Sequence, residues 1–388
     1  MRLRHLLTPG VAVLAAVALA ASGCSSPKKA ADGPAYKVGI ITSTSGALSA
    51  YGQQYLDGFQ AGLDYATGGT RKVGNHPIEL TTADDAGDPA KAVSAATDMI
   101  GKGTKIIAGS AVSGVALQVA PIAEQNKVLF ISGPAATDAL TGINKYTFRS
   151  GRQSLQDVFV ARSYLGDPAG KKVVVFAQDT AFGQANVAAV QLVATGANVV
   201  PVLVDANATE FTTFAKKALD EQADLVFVAW AGTTAAAMWQ SLDQQGVLAS
   251  TTVVTGLADR VTWPALGEVG TKISFLAHYF DGASDTPASQ ALATALGKPI
   301  DLFNPDGFTA AQMIVHALEA GEDVDAMIGA LEGWSFESVK GGYEITPEDH
   351  ALLQPMYQAK LTADGGEFTA ELLKAVPADE VVTPGLFH

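Results

Sequence analysis

Cysteine is all but missing from this chain: among 388 residues only Cys24 carries a thiol. With no second cysteine the chain cannot staple itself, so burial of apolar surface must carry its stability. Positive charge is also short. Lys and Arg number 25 against 39 Asp and Glu, for a formal net charge of −14. That sign argues against a nucleic-acid partner, because phosphate rewards a basic face. The histidines are scattered as His5, His76, His278, His316, His350 and His388, with no pair four residues apart and no His-x-His. No metal is therefore expected. Gly109 and Gly114 enclose four residues, but no Lys-Ser/Thr pair follows. No Gly-x-Gly-x-x-Gly follows Tyr36–Ile41, and no Gly-x-Ser-x-Gly occurs. A P-loop, a dinucleotide enzyme and a serine hydrolase all lose their signatures. The expectation is a protein that is not an enzyme and needs no cofactor.

One uncharged apolar run, Val11 to Ala21, follows Arg2 and Arg4 and closes at Ala21-Ser22-Gly23-Cys24. It is too short to span a membrane in the mature protein, so residues 1–23 read as a secretion signal. The closing residues resemble a bacterial lipoprotein lipobox, with Ala21 where Leu is more usual. That resemblance implies that Cys24 becomes the lipidated first residue; a plain signal peptide is the alternative. Residues 24–35 are small and polar with no hydrophobic period, which suits a flexible tether. The body is expected to work outside the cytoplasm, anchored to the cell membrane through Cys24. Loss of Arg2 and Arg4 leaves 23 basic residues against 39 acidic ones, a net charge of −16.

About 350 residues remain to fold, more than one core comfortably serves, so two domains are expected. Tyr36 to Ile41 is apolar after Lys37, as for a strand covered on both faces. It runs into Thr44-Ser45-Gly46, then Tyr51-Gly52 and a helix through Phe59 and Leu63. Pro77 to Leu80 is a second strand. Asp88-Pro89 supplies a cap and first-turn proline for a helix carrying Ala92, Val93, Ala96, Met99 and Ile100. Residues 144–152 break the rhythm, and the alternation then restarts. Lys171–Ala177, Asn198–Val204, Asp224–Ala229, Thr252–Thr255 and Lys272–Phe280 read as strands, with helices between the first four. Thr209 is positioned to cap the helix bearing Phe214 and Leu219. Such alternation predicts two doubly wound α/β lobes with parallel sheets.

Ile106 to Thr141 is the stretch on which the functional reading centres. It reads as strand, Gly/Ser turn, helix with Pro121 inside, strand and a second small-residue turn. Ligands of open α/β sheets sit beyond the carboxyl ends of the strands, and free amides at a helix start attract an anion. The two turns would line one side of a small-molecule cleft, or serve as ordinary connections.

At this point the residues resemble the type I periplasmic binding proteins of the branched-chain amino-acid transport class, which feed ABC importers. The resemblance covers nearly all of 36–361. It rests on Thr44-Ser45-Gly46…Tyr51-Gly52, Ser113 in its turn, SGPAATDALTG at 132–142 and Thr147-Phe148-Arg149. Asp179-Thr180-Ala181-Phe182-Gly183 and Pro305-Asp306-Gly307-Phe308 continue it. It implies two lobes joined by three crossovers, lobe 1 from 36–150 and 281–355, lobe 2 from 151–280 and 356–388. It further implies a ligand carboxylate held at Ser113 and Gly114, contacts from Ala135, Ala136 and Thr137, and aromatic walls at Tyr51, Phe182 and Trp230. The family's ammonium-neutralising Glu falls on Ala258, with Asp259 next door. Either Asp259 takes over, or the solute lacks an α-amino group, since a buried ammonium needs a carboxylate. The implied partners are a small solute (amino acid, organic acid or amide) and an ABC permease, with the protein itself a monomer. A ligand sensor of the same fold is the alternative function, and an α/β enzyme a weaker one.

Plainer roles stand beside these. Ser113 is also a helix cap, Thr137 with Asp138 a loop cap, and Tyr51 a packing residue over its turn. Asp179 reads as a turn residue. Arg149 and Arg152 read as ties for the first crossover, with Arg152 or Arg149 also able to meet an anion. Met238-Trp239 reads as core.

Overall fold

The computed structural model describes residues 32–381. The signal segment 1–23, Cys24 and the tether up to residue 31 lie outside the described residues, as do 382–388. The last tether residues are pinned: the Gly33 amide donates to Asn75 O (2.9 Å), and Pro34 O lies 2.8 Å from His76 Nδ1.

The first sheet takes β1 (Tyr36–Thr42), β2 (Lys72–Val73), β3 (His76–Asp84), β4 (Ile106–Ala108), β5 (Leu129–Ser132) and β6 (Thr147–Arg149). Their order is β2-β3-β1-β4-β5-β6, parallel except for the β2–β3 hairpin. The second takes β7 (Lys172–Gln178), β8 (Asn198–Val204), β9 (Leu225–Ala229), β10 (Thr252–Gly256) and β11 (Ser274–Ala277) in the parallel order β8-β7-β9-β10-β11. A small antiparallel sheet of β12 (Ser335–Ser338), β13 (Gly341–Ile345) and β14 (Leu352–Leu353) follows. The chain then returns as β15 (Met356–Asp364) and β16 (Glu367–Val376), which pair antiparallel and extend the second sheet beyond β11. Both halves are doubly wound in the same sense, as the alternation predicts. The chain crosses between them after β6, after β11 and between β14 and β15.

Three local expectations change. Residues 144–152 contain β6, whose three residues are too few to show a period. The strand expected over Lys272–Phe280 keeps only Ser274–Ala277, because the chain leaves the sheet at His278 for the second crossover. Thr209 does not cap: the helix runs Thr212–Asp220 with Phe211 at the N-cap, its ring buried in the lobe-2 core. Packing of Phe211 outweighs the capping preference of Thr209.

The central strands of each sheet carry a core on both faces: Ile40, Ile106, Leu129 and Phe148 against Ile41, Ile107 and Phe130 in the first, Val174, Phe176, Val226 and Val228 against Val173, Val175 and Leu225 in the second. Helices Ser49–Ala66 and Asn304–Glu319 pack at backbone contact beside the crossovers. A Cβ on Gly58 would stand 1.9 Å from Asn304 O, on Gly62 2.4 Å from Phe308 O, and on Gly307 1.9 Å from Tyr55 O. Neither backbone can yield, so Gly58→Ala is expected to cost about 1–3 kcal/mol. Gly101→Ala is the control, since its Cβ meets nothing within 4 Å. Thermal unfolding should show Gly58→Ala several degrees below both the control and the wild type.

Candidate ligand-binding cleft

In each sheet the winding reverses beside the first strand, between β1 and β4 in one and between β7 and β9 in the other. Loops leaving these strands diverge and open a crevice. In lobe 1 the buried Asp85 ties the diverging loops together. Its carboxylate accepts from Ser43 Oγ (2.5 Å), Ser110 Oγ (2.7 Å) and the Gly87 amide (2.8 Å). Asp84 braces the loop after β1, accepting from the Thr44 and Ser45 amides and from Ser45 Oγ at 2.6 Å. These bonds hold its carboxyl well below the usual range. Lobe 2 uses Gln178, whose Oε1 accepts from the Ala231 amide at 3.0 Å.

Helix Ser113–Asn126 starts at the lobe-1 crevice, and the first amides of a helix have no partner within it. Val112, not Ser113, is the N-cap. Ser113 Oγ instead accepts from the Thr137 amide at 3.2 Å, linking the first turn to the second. The second turn is held from behind by Arg149, fully buried, whose guanidinium donates to the carbonyls of Thr137 (2.8 Å), Ala135 (2.7 Å) and Arg152 (2.9 Å). Asp138 accepts from the Leu155 amide at 3.0 Å.

Between the lobes lie two chambers of about 510 and 250 Å³ that share Ala47, Tyr51, Arg152, Phe182, Ala231 and Phe303. Ser113, Gly114 and Ala136 face the larger chamber, opposite Gln178 and Thr180. Trp230, Thr255, Asp259 and His278 face the smaller one. Ala135 and Thr137 lie behind the wall, buried and facing neither chamber. Trp230 is wedged at 5.8 Å from Phe176 and edge-on to Phe211 at 5.3 Å. Its indole N–H is taken by Thr234 Oγ1 (3.0 Å), so it offers the cavity only apolar surface. Tyr51 leans on Phe303, their centroids 4.5 Å apart, and the Arg152 guanidinium lies 5.8 Å from the same Phe303 ring.

Residues 35–367 match the family model described as periplasmic binding protein. The chain belongs to that family. The Leu/Ile/Val-binding protein BraC3 of Rhizobium johnstonii is 26% identical over 308 residues, covering 76% of this chain and 83% of its own. A branched-chain amino acid ABC transporter structure from Rhodopseudomonas palustris superposes with TM-score 0.75 at 29% identity, over 90% of this chain and 98% of that one. A second R. palustris solute-binding protein, in complex with 4-hydroxybenzoate, superposes with TM-score 0.80 at 23% identity, over 89% of this chain and 97% of that one, a likeness of fold. This periplasmic binding protein is a solute-binding component of the ABC-transporter type and not an enzyme. Its family works outside the cytoplasm. Among the described residues no helix is long and apolar enough to cross a membrane, and no cluster of three or more His, Cys, Asp or Glu side chains could hold a metal ion.

Sequence reasoning passed over Phe303 and His278, and gave Arg152 first as a crossover tie and only second as a partner for an anion. His278 falls within the strand expected over Lys272–Phe280, and Phe303 lies outside any periodic pattern. Arg152 had one further signal, an acid five residues on at Asp157.

Asp259 is buried, and burial with the neighbouring Asp301 pushes its carboxyl up to about 6. An acid raised on folding contributes stability that is fully present below its unfolded value near 4 and is lost as pH rises through 6. Above that the ligand-free protein carries a penalty on the order of 2–3 kcal/mol. Asp259→Asn is expected to raise the Tm at pH 7.5 by several degrees and to leave it unchanged at pH 3.5. Thermal melts at the two pH values check this.

Proposed function

We propose that this protein is the lipid-anchored solute receptor of an ABC importer, trapping an amino acid or a small, aromatic carboxylate or amide between its lobes. The supporting observation is the cleft itself: the carboxyl edges of two like sheets face one cavity, with helix-start amides at Ser113–Gly114 on one wall and Phe182 on the other. An anionic group suits those amides, and Tyr51, Phe182 and Trp230 suit apolar or aromatic bulk. Asp259 stands where it would meet an ammonium, as in an α-amino acid. The lobes, 36–150 with 281–355 and 151–280 with 356–388, move as two bodies about the three crossovers. Solute that touches both favours closure, because only the closed form makes both sets of contacts. The closed monomer then docks on its permease. Cys24 keeps it at the membrane surface.

A thermal-shift panel of L-amino acids, their deaminated analogues, aromatic acids and amides on the mature protein identifies the class. At least one member is expected to raise the Tm, and Phe182→Ala and Ser113→Ala each to weaken it tenfold or more. Unchanged affinity in both variants would remove the cleft assignment. Fractionation of cells expressing Cys24→Ser tests the anchor: the variant is expected in the soluble extracytoplasmic fraction, the wild type with membranes.

A further inference from the structure

The smaller chamber ends on residues of the crossovers themselves, and these are short of partners. Arg152 Nε, Asp157 Oδ1 and His278 Nε2 are buried without a hydrogen-bond partner. Their residues are only 7%, 4% and 4% exposed, and all three line the chamber. Arg152 is otherwise held, its Nη1 donating to Pro134 O at 2.9 Å, and His278 packs at 4.8 Å against Phe303. Nearly every buried polar atom in a folded protein finds a partner, so three orphans around one cavity mark a place for one.

We propose, building on the solute-receptor reading above, that this hinge-side floor is a specificity subsite for a neutral hydroxyl or amide at the far end of the solute. Charge decides the class. Arg152 Nε and Asp157 Oδ2 lie 3.4 Å apart and offset one another. Beside that pair a carboxylate would be repelled by Asp157 and an ammonium by Arg152, so neither charge is favoured there, while Asp259 stays available to an ammonium elsewhere in the chamber. Burial together with the charges of Arg152 and Lys340 holds the His278 imidazole well below its usual range, so the ring is neutral, with one donor and one acceptor nitrogen. A hydroxyl accepts from Arg152 Nε and donates to Asp157 Oδ1 or to an unprotonated His278 Nε2. A site built to hydrogen-bond such a group rejects the analogue lacking it, because its own polar atoms then stay unpaired. Arg152 and His278 stand on the first and second crossovers, so the same group would join the two hinge strands through the solute.

The test uses calorimetric affinities for matched pairs on the mature protein. The pairs are L-phenylalanine and L-tyrosine, and benzoate, phenylacetate and 3-phenylpropionate, each beside its para-hydroxylated and para-carboxylated forms. In the series whose length fits, the hydroxylated member is expected to bind at least tenfold tighter than its parent. His278→Phe, which keeps ring bulk against Phe303, is expected to bring that ratio towards one, and His278→Gln to restore part of it. Equal affinity throughout, or preference for the para-carboxylated member, overturns the subsite and leaves a floor that holds water, while the solute-receptor reading stands. A ratio unmoved by His278→Phe overturns it equally. If no acid or amino acid binds at all, the receptor reading falls and the subsite falls with it.

Discussion

The Arg149 guanidinium is the constraint on which the cleft depends. A buried cation is costly unless it is well hydrogen-bonded, and this one donates to three carbonyls, with its Nε left without a partner. Two belong to the second turn of lobe 1 and the third to the first crossover. Burial lowers its pKa only to about 10, so it remains charged at neutral pH. One side chain at the end of β6 thus sets the rear of the binding wall and the direction in which the chain leaves for lobe 2. Ser113 then joins that wall to the helix start in front of it, and Asp85 joins the helix start to the loops after β1 and β3. The lobe-1 face is accordingly a single hydrogen-bonded unit with little freedom of its own.

The joint between the lobes is built differently from the lobes. Where each sheet is wrapped in Val, Ile, Leu and Ala, the crossovers bring together Asp157, Asp306, Lys340, Arg152 and His278, all buried. Burial drives the Asp306 carboxyl up and the Lys340 ammonium down, each towards its neutral form. Lys340 Nζ still donates to Gln354 Oε1 at 2.6 Å. Such a polar interior is less stabilising than apolar packing of the same volume. What it supplies is direction, since hydrogen bonds are made or lost with small rotations whereas methyl contacts slide. Beside it, the backbone contacts of Gly58, Gly62 and Gly307 leave one arrangement for the two helices that flank the crossovers. A rigid apolar body on either side of a directional polar joint is the mechanical condition for hinge motion.

How much of this was legible in the sequence follows from range. The strands and helices of both lobes show their periods within windows of about ten residues, and the turns that open Ser113, Gly114, Phe182 and Trp230 to the cavity follow directly from strand ends. Tyr51 and Asp259 were found by resemblance, and they too face the cavity. Ala135 and Thr137 came by the same route, yet face away, because Arg149 pulls their carbonyls towards the interior. That pull is invisible locally: Arg149 lies 14 residues from Ala135. Asp85 sits just past the end of β3, and its role depends on Ser43 and Ser110, 42 and 25 residues distant. The hinge was least legible. Its residues come from the first two crossovers and the β12–β13 turn, with no period, and only the fold brings Arg152, His278 and Lys340 near one another.

The groups around the cavity share one property. Asp259 is ionised at neutral pH against the preference of its surroundings, the amides of Ser113 and Gly114 have no helix partner, and His278 Nε2 and Arg152 Nε have none either. A fold optimised for stability alone would pair or remove each of them. Left unpaired, they make the empty cleft unfavourable and give a solute of the right chemistry more to gain than its own contacts. Little of that gain is lost to ordering, since the helix start at Ser113 and Gly114 and the loop of Arg152 are already held by Asp85 and Arg149. A receptor that must surrender its cargo cannot let closure become irreversible. A ligand shifts a two-state equilibrium only by its differential affinity for the two states, so under the proposed closure a joint of modest, directional bonds would keep the open form accessible.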